Sequence, residues 1–198
     1  MRLGQKRFGA ILILVGALAT VGILAASKHE SARVSTSPVP PIRDLAARFA
    51  VLSKAHSNQC GLQADSIDSI AEHGYLRGAC CGPMDLHRYR EQIGGLRQYA
   101  AETAIPRDPY DIPVNLAKRL ISYQQTIDIT SRQQAVYDRA VRLSYEHGPC
   151  CCRCWRWTAF EGQAKYLITR RRFTAKRIAE VWGLEDGCGG EGHAHASA

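Results

Sequence analysis

The sequence predicts an all-α protein in which a compact helical bundle follows an N-terminal transmembrane helix and a flexible linker. Three observations support this fold class. An uncharged apolar run is long enough to cross a bilayer, later segments repeat apolar residues at helical spacing, and no stretch alternates as a strand does. We expect a signal anchor at 1–26, a linker at 27–41, a helical cysteine-rich domain at 42–186 and a flexible tail at 187–198.

The apolar run covers residues 8–26, and as a helix these 19 residues would span roughly 28 Å, close to the hydrocarbon thickness of a bilayer. Basic residues precede the run, so the positive-inside rule predicts a single-pass cell-membrane protein with a cytoplasmic N-terminus and an extracytoplasmic domain. The small residues Ala25, Ala26 and Ser27 also fit a signal-peptidase site. Cleavage there would leave a secreted or periplasmic protein, so both alternatives export the domain.

The elements after the anchor follow from proline, glycine and apolar spacing. Residues 27–41 are polar and proline-rich, which is typical of a linker. Pro83 and Pro149 each fit the first turn of a helix, Gly94 and its neighbour could kink or divide the first of these, and the three prolines of 105–113 predict a loop. Helices are expected over residues 42–56, 62–73, 83–103, 114–127, 132–147, 149–171 and 175–182.

The formal net charge of +8 does not indicate nucleic-acid binding. Residues 1–34 hold five of the basic residues and one acidic residue, which leaves 21 basic and 17 acidic residues, or +4, for the rest. That charge is too small to predict a DNA or RNA partner, and an exported domain would not meet one. Nothing in the sequence identifies a protein partner.

Eight cysteines are the main functional signal, and half of them lie within residues 150–154. The others are Cys60, the adjacent pair Cys80 and Cys81, and Cys188. Core cysteines are normally dispersed and neighbouring cysteines rarely bond each other without strain, so this density indicates metal binding or redox chemistry. Cys188 is flanked by glycines, and we expect either a mobile thiol or a structural tether there.

A helix that began at Pro149 would place three thiols within about 100° of one another on one face and would point Cys152 elsewhere. The three are Cys150, Cys151 and Cys154. Their position in a first helical turn, together with Arg153 and Arg156, would lower the thiol pKa values. Cys80 and Cys81 precede a second proline-started helix, and we expect one or both to complete the site begun at residues 150–154.

Residues 149–154 also contain a P-C-x-C-x-C pattern that resembles the motif of the PCYCGC family, exported and membrane-attached bacterial proteins. Residues 137–147 are similar to the helix that leads into that motif, so the resemblance covers about a quarter of the chain. Cys151 stands where the family has tyrosine, and Arg153 where it has glycine. The resemblance implies export and a thiol-metal role. The two patterns differ in geometry, since a C-x-C-x-C trio facing one way needs an extended or looped backbone, whereas a helix selects Cys150, Cys151 and Cys154.

A thiolate-rich site prefers zinc, copper(I), mercury(II) or an iron–sulfur cluster over magnesium or calcium. Zinc or copper(I) is the favoured ligand, with an iron–sulfur cluster as the alternative. The adjacent Cys80 and Cys81 before a glycine, with a later C-x-x-C, resemble the cluster-binding repeats of heterodisulfide reductases, and that resemblance implies such a cluster. Covalent c-type haem is excluded because no C-x-x-C-H occurs.

The sequence therefore predicts a membrane-anchored, extracytoplasmic protein that binds a soft metal through Cys150, Cys151 and Cys154 with Cys80, Cys81 or Cys152. Its role would be sequestration, transfer or sensing rather than catalysis. Two alternatives remain open. One is a thiol-disulfide oxidoreductase that uses Cys151 and Cys154, and the other is a structural module stabilised by disulfides.

Overall fold

A computed structural model describes residues 38–189 of the chain. The expected membrane anchor at 8–26, residues 27–37 of the expected linker and residues 190–198 of the expected tail lie outside this range. Within residues 38–189, no helix combines the length and apolar character needed to cross a membrane.

The described part is mostly helical, as the sequence predicts, and also contains two short strands. In chain order the elements are α1 (Leu45–Leu52), α2 (Ala64–Asp68), β1 (Tyr75–Arg77), α3 (Leu86–Leu96), a 3₁₀ turn (Arg97–Tyr99), β2 (Asp111–Pro113), α4 (Val114–Thr126), α5 (Ser131–Leu143), α6 (Trp155–Arg171) and α7 (Ala175–Glu185). The helices expected at 42–56 and 62–73 are longer than the observed α1 and α2. The helices expected at 114–127 and 175–182 agree with α4 and α7 to within a few residues.

The two strands pair antiparallel, with Tyr75 opposite Pro113 and Arg77 opposite Asp111. Each strand has three residues. That length is too short to display an alternating pattern, so the expectation of an entirely strand-free domain was wrong, and β2 occupies the end of the expected loop. This strand pair helps to position the candidate site, because Cys80 and Cys81 come shortly after β1 in the chain.

Helix α6 forms the centre of the bundle and packs most extensively against α4, while α5 packs against α7. Gly162 lies where α6 meets α4, and a Cβ at this position would collide with the carbonyl oxygen of Leu120 and the backbone nitrogen of Gln124. The absent side chain therefore allows the two helices to approach closely. This packing fixes α6, and the segment that leads into it, relative to the rest of the core.

Side-chain caps set several helix starts. Thr130 and Gln133 form a reciprocal capping box at α5, as the cap-type residues of this segment suggest. Asp85 caps α3 by accepting a hydrogen bond from the backbone nitrogen of Arg88, so this helix begins after Pro83 rather than at it. It continues through Gly94 without division and ends at Leu96, so it is shorter at both ends than the helix expected over 83–103.

The helix expected from Pro149 was the most consequential error. Residues 149–154 form turns and bends, and α6 begins only at Trp155. Cys154 is the N-cap in an extended conformation, and the backbone nitrogen of Trp155 donates to the carbonyl oxygen of Leu62 at 2.8 Å. This tertiary hydrogen bond replaces a helical one, so the cysteine-rich segment has the looped backbone that a C-x-C-x-C arrangement requires.

Candidate metal centre

All eight cysteines lie in the described part of the chain and all are free thiols. Four separate segments bring them together at one end of the bundle. Cys60 precedes α2, Cys80 and Cys81 follow β1, residues 150–154 connect α5 to α6, and Cys188 follows α7.

Backbone hydrogen bonds hold these segments in place. The nitrogen of Cys80 donates to the oxygen of Gly187 at 2.9 Å, and the nitrogens of Cys81 and Gly82 donate to the oxygen of Cys188 at 3.3 and 2.7 Å. Because these bonds are made by the polypeptide itself, the cysteines on the loop after β1 and on the chain after α7 are brought together by the fold.

The sulfur atoms form a continuous network. The Sγ–Sγ separations are 3.4 Å for Cys152–Cys60, 2.7 Å for Cys60–Cys81, 3.5 Å for Cys80–Cys81, 3.8 Å for Cys80–Cys188, 3.7 Å for Cys81–Cys151, 2.7 Å for Cys151–Cys188 and 4.0 Å for Cys150–Cys188. Two thiolates on one tetrahedral zinc at about 2.3 Å each lie roughly 3.8 Å apart. Most of these separations are close to that value.

Groups of these thiols could hold a metal ion. The three groups whose sulfurs all lie within 4.8 Å of one another are Cys60, Cys80, Cys81 and Cys152; Cys81, Cys151 and Cys188; and Cys150, Cys151 and Cys152. The two adjacent cysteines after β1 and the cysteines before α6 thus belong to one cluster, and Cys81 and Cys151 join them directly.

The expected helical face of three thiols does not form. Cys152, which we expected to point away, lies 3.4 Å from Cys60. Cys154 hydrogen-bonds with Cys150 and Cys152, so it lies on the inner side of the same loop. The face does not form because residues 149–154 are not helical. In a helix adjacent side chains diverge by about 100°, and this loop does not impose that divergence.

Sequence reasoning did not include Cys60 and Cys188 in the metal set. The segment from Gly187 was expected to be a flexible tail, yet Cys188 is only 2% exposed and its backbone nitrogen donates to the Asp186 carboxylate. A usable signal was present in the flanking glycines. Gly189 has a φ of 78°, and a Cβ there would collide with the carbonyl oxygen of Gly82, so this glycine permits close packing on the Cys80–Gly82 loop.

The cluster runs from the protein interior to its surface. Cys150, Cys154 and Cys188 are buried, whereas Cys81 and Cys151 are exposed and in direct contact with each other. One side of the cluster is therefore open to ions or partner thiols from solution.

Arg156 supplies a positive charge to the inner side. It is wholly buried, and its guanidinium donates to the carbonyl oxygens of Pro109 and Glu185. Burial alone would lower the pKa of Arg156, but the nearby thiolates, first Cys80 and Cys150, outweigh it and raise that pKa. The expectation that Arg156 would favour thiolates thus agrees with its position. Arg153 instead stacks on the ring of Trp157 at 3.8 Å.

Two thiols are pushed toward the thiolate form. The hydrogen bond with Cys188 lowers the pKa of Cys80 to about 6 despite its burial, and the charge of Arg156 acts in the same direction. Hydrogen bonds with Cys154 and Cys188 lower the pKa of Cys150. Thiolates are the metal-binding and nucleophilic form of cysteine, so Cys80 and Cys150 are the thiols best prepared for either chemistry.

No protein-family model, curated protein or solved structure matches this chain. The resemblance to the PCYCGC family therefore stays a prediction that rests on residues 137–154.

Proposed function

We propose that this protein binds soft metal ions through its clustered cysteines and serves in their sequestration, transfer or sensing. The convergence of eight free thiols from four chain segments supports this proposal more than any other observation. A cluster of this density is difficult to explain by packing alone, because core cysteines are normally dispersed.

The donor set favours zinc or copper(I). Each of the three groups contains only cysteines, and thiolate ligands select these ions over magnesium, calcium or manganese. The spacing disfavours a four-iron cluster. Such a cluster would sit between its cysteine ligands and hold them further apart than two ligands of a single ion, whereas Cys60, Cys80 and Cys81 are in direct sulfur contact.

Exposure favours exchange of the ion over permanent storage. Cys81 and Cys151 are exposed and lie 3.7 Å apart, so an incoming thiol could reach a metal held between them. Ligand exchange at this edge would let an ion enter or leave while Cys150, Cys154 and Cys188 remain buried.

We further propose that the domain faces the outside of the cell, attached by residues 8–26 or released by cleavage after them. The support is the basic flank and the uncharged apolar run. Protease added to intact cells, or to spheroplasts where an outer membrane is present, should digest the domain while the cells remain sealed. Protection until lysis would contradict this orientation.

The test of metal binding is purification without oxygen, followed by metal analysis and a count of reactive thiols on the same sample. We expect bound zinc or copper and thiols that become fully reactive once a chelator removes the metal. A control variant with His193→Ala and His195→Ala removes the imidazoles of the tail and should retain the metal. Metal-free protein that also fails to bind zinc or copper(I) after complete reduction would contradict the proposal.

Thiol-disulfide exchange is a second candidate because two pairs of sulfurs lie closer than the rest. Cys60–Cys81 and Cys151–Cys188 are each separated by 2.7 Å, and each pair contains one exposed thiol. These pairs, rather than the Cys151–Cys154 pair of the C-x-x-C, would be the redox couples. Mild oxidation of metal-free protein followed by peptide mapping should give these two disulfides. A Cys151–Cys154 disulfide as the main product would contradict the assignment.

A further inference from the structure

The three thiol groups of the cluster overlap in a regular way. Cys81 belongs to the first and second groups, Cys151 to the second and third, and Cys152 to the first and third. Every pair of groups therefore shares one cysteine. The remaining members each belong to a single group, and they are Cys60, Cys80, Cys150 and Cys188.

Separate metal sites would not have this arrangement. Independent sites keep their own ligands, so sulfur contacts within a site should be shorter than those between sites. Here Cys80–Cys188, which joins a member of the first group alone to a member of the second group alone, measures 3.8 Å, close to the 3.5 Å of Cys80–Cys81 within the first group. A thiolate sulfur has several lone pairs and can bind two soft ions at once, so shared cysteines are suited to act as bridges.

If each of the three groups holds one ion, the supply of ligands also requires sharing. Structural zinc sites take about four ligands each, and eight cysteines cannot fill three such sites without sharing. The first group already offers four sulfurs. The third group offers three, and Cys154, which lies against Cys150 and Cys152, can supply its fourth ligand. The second group would then be the least saturated, and it contains both exposed thiols.

The charge of such a centre also needs compensation. The negative charge of eight thiolates exceeds the positive charge of three divalent ions, and it exceeds that of three monovalent ions by more. The loaded centre therefore keeps a net negative charge. An uncompensated charge is costly to bury. Arg156 is wholly buried beside the inner thiols and supplies a positive charge on the side away from solvent.

We propose that the eight cysteines hold three soft metal ions in one thiolate-bridged centre, in which Cys81, Cys151 and Cys152 are the bridges. This inference rests on the proposed metal-binding function and adds its stoichiometry and the assignment of the bridging ligands.

The first test is titration of the reduced full chain with zinc(II), and in parallel with cadmium-113(II), without oxygen. Native mass spectrometry should show three ions per chain with little of the one-ion and two-ion forms, because shared ligands make loading cooperative. Cadmium-113 NMR should show couplings between the metal nuclei through the bridging sulfurs. One or two ions per chain, or three ions without mutual coupling, would overturn the bridged centre while leaving soft-metal binding intact.

A matched pair of variants tests the bridges. Cys81 and Cys60 are in direct contact and belong to the same group, but only Cys81 is shared with a second group. Cys81→Ser should lose two of the three ions and the NMR couplings, whereas Cys60→Ser should lose at most one ion. Circular dichroism of the reduced metal-free variants checks that both fold. Equal losses from both variants would overturn the bridging role, and a parent chain that binds no ion at all would refute the proposed function itself.

Discussion

The sulfur of Cys151 lies 2.7 Å from the sulfur of Cys188, although the two residues are 37 positions apart and Cys188 follows the last helix. This contact joins the cysteine-rich loop before α6 to a residue that the sequence places in a glycine-rich tail. The end of the described chain is thereby part of the thiol cluster, held there by backbone hydrogen bonds from Cys81 and Gly82.

Replacement of Cys188 should therefore weaken metal binding strongly. We expect Cys188→Ser to lower the affinity for zinc by more than the roughly 10- to 100-fold that loss of an outer-shell partner costs, because a direct ligand is removed. Competition with a chromophoric chelator measures the change. Deletion of residues 190–198 keeps Cys188 and should leave the affinity unchanged; an equal loss from the deletion would assign the effect to the tail.

Loss of Arg156 should destabilise the fold. Arg156→Met removes the donors to the carbonyl oxygens of Pro109 and Glu185, which stay buried, and we expect a loss of about 2–5 kcal/mol in the free energy of unfolding. Urea denaturation of the reduced, metal-free protein measures it. The matched control is Arg153→Met, whose exposed stacking on Trp157 is worth at most about 1 kcal/mol. Similar losses from both variants would contradict the role given to Arg156.

Gly187 should tolerate no side chain. A Cβ there would collide with the guanidinium of Arg156, so Gly187→Ala should cost about 1–3 kcal/mol through overpacking and should weaken metal binding by displacing Cys188. Gly183→Ala is the control in α7, because no atom lies within 4 Å of its added Cβ. That variant should gain about 0.5–1 kcal/mol from helix propensity. Thermal unfolding of both proteins distinguishes collision from a general effect of alanine.

Glu185 should make stability fall as pH rises. Burial raises the pKa of this wholly buried carboxyl well above its ordinary value, although the hydrogen bond from Gln163 and the charge of Arg156 oppose the rise. The unfolded chain loses this proton near pH 4.3, whereas the folded protein keeps it to higher pH. The stabilisation is complete below the unfolded pKa and is lost as pH rises toward the folded pKa, with a slope of at most about 1.4 kcal/mol per pH unit.

The matching variant is Glu185→Gln, which keeps the shape of the side chain and cannot ionise. In urea unfolding of the reduced, metal-free proteins between pH 5 and about 7, this variant should gain stability relative to the parent as pH rises, because thiol ionisation is common to both proteins and cancels in the difference. Parallel curves for the two proteins would contradict a raised pKa for Glu185 in the folded protein.

The helices of the core were predictable because their signals are local. The apolar spacing of α4 and the capping box of Thr130 and Gln133 require only neighbouring residues. The strands β1 and β2 were not predictable in this way, because three residues are too few for a pattern and each strand exists through pairing with the other. The start of α6 was mispredicted because Trp155 bonds to Leu62, a partner 93 residues away in the chain.

By itself, the sequence determined that the protein is rich in clustered thiols and that its core is helical, since both follow from composition and short-range spacing. Only the tertiary structure decided which thiols meet. Cys60 and Cys188 join the centre through contacts with Cys81 and Cys151, and those contacts depend on how α7 and the loop after β1 pack together. Whether thiols can share a metal ion depends on distances of a few ångströms between side chains, and in this protein tertiary hydrogen bonds and packing set those distances.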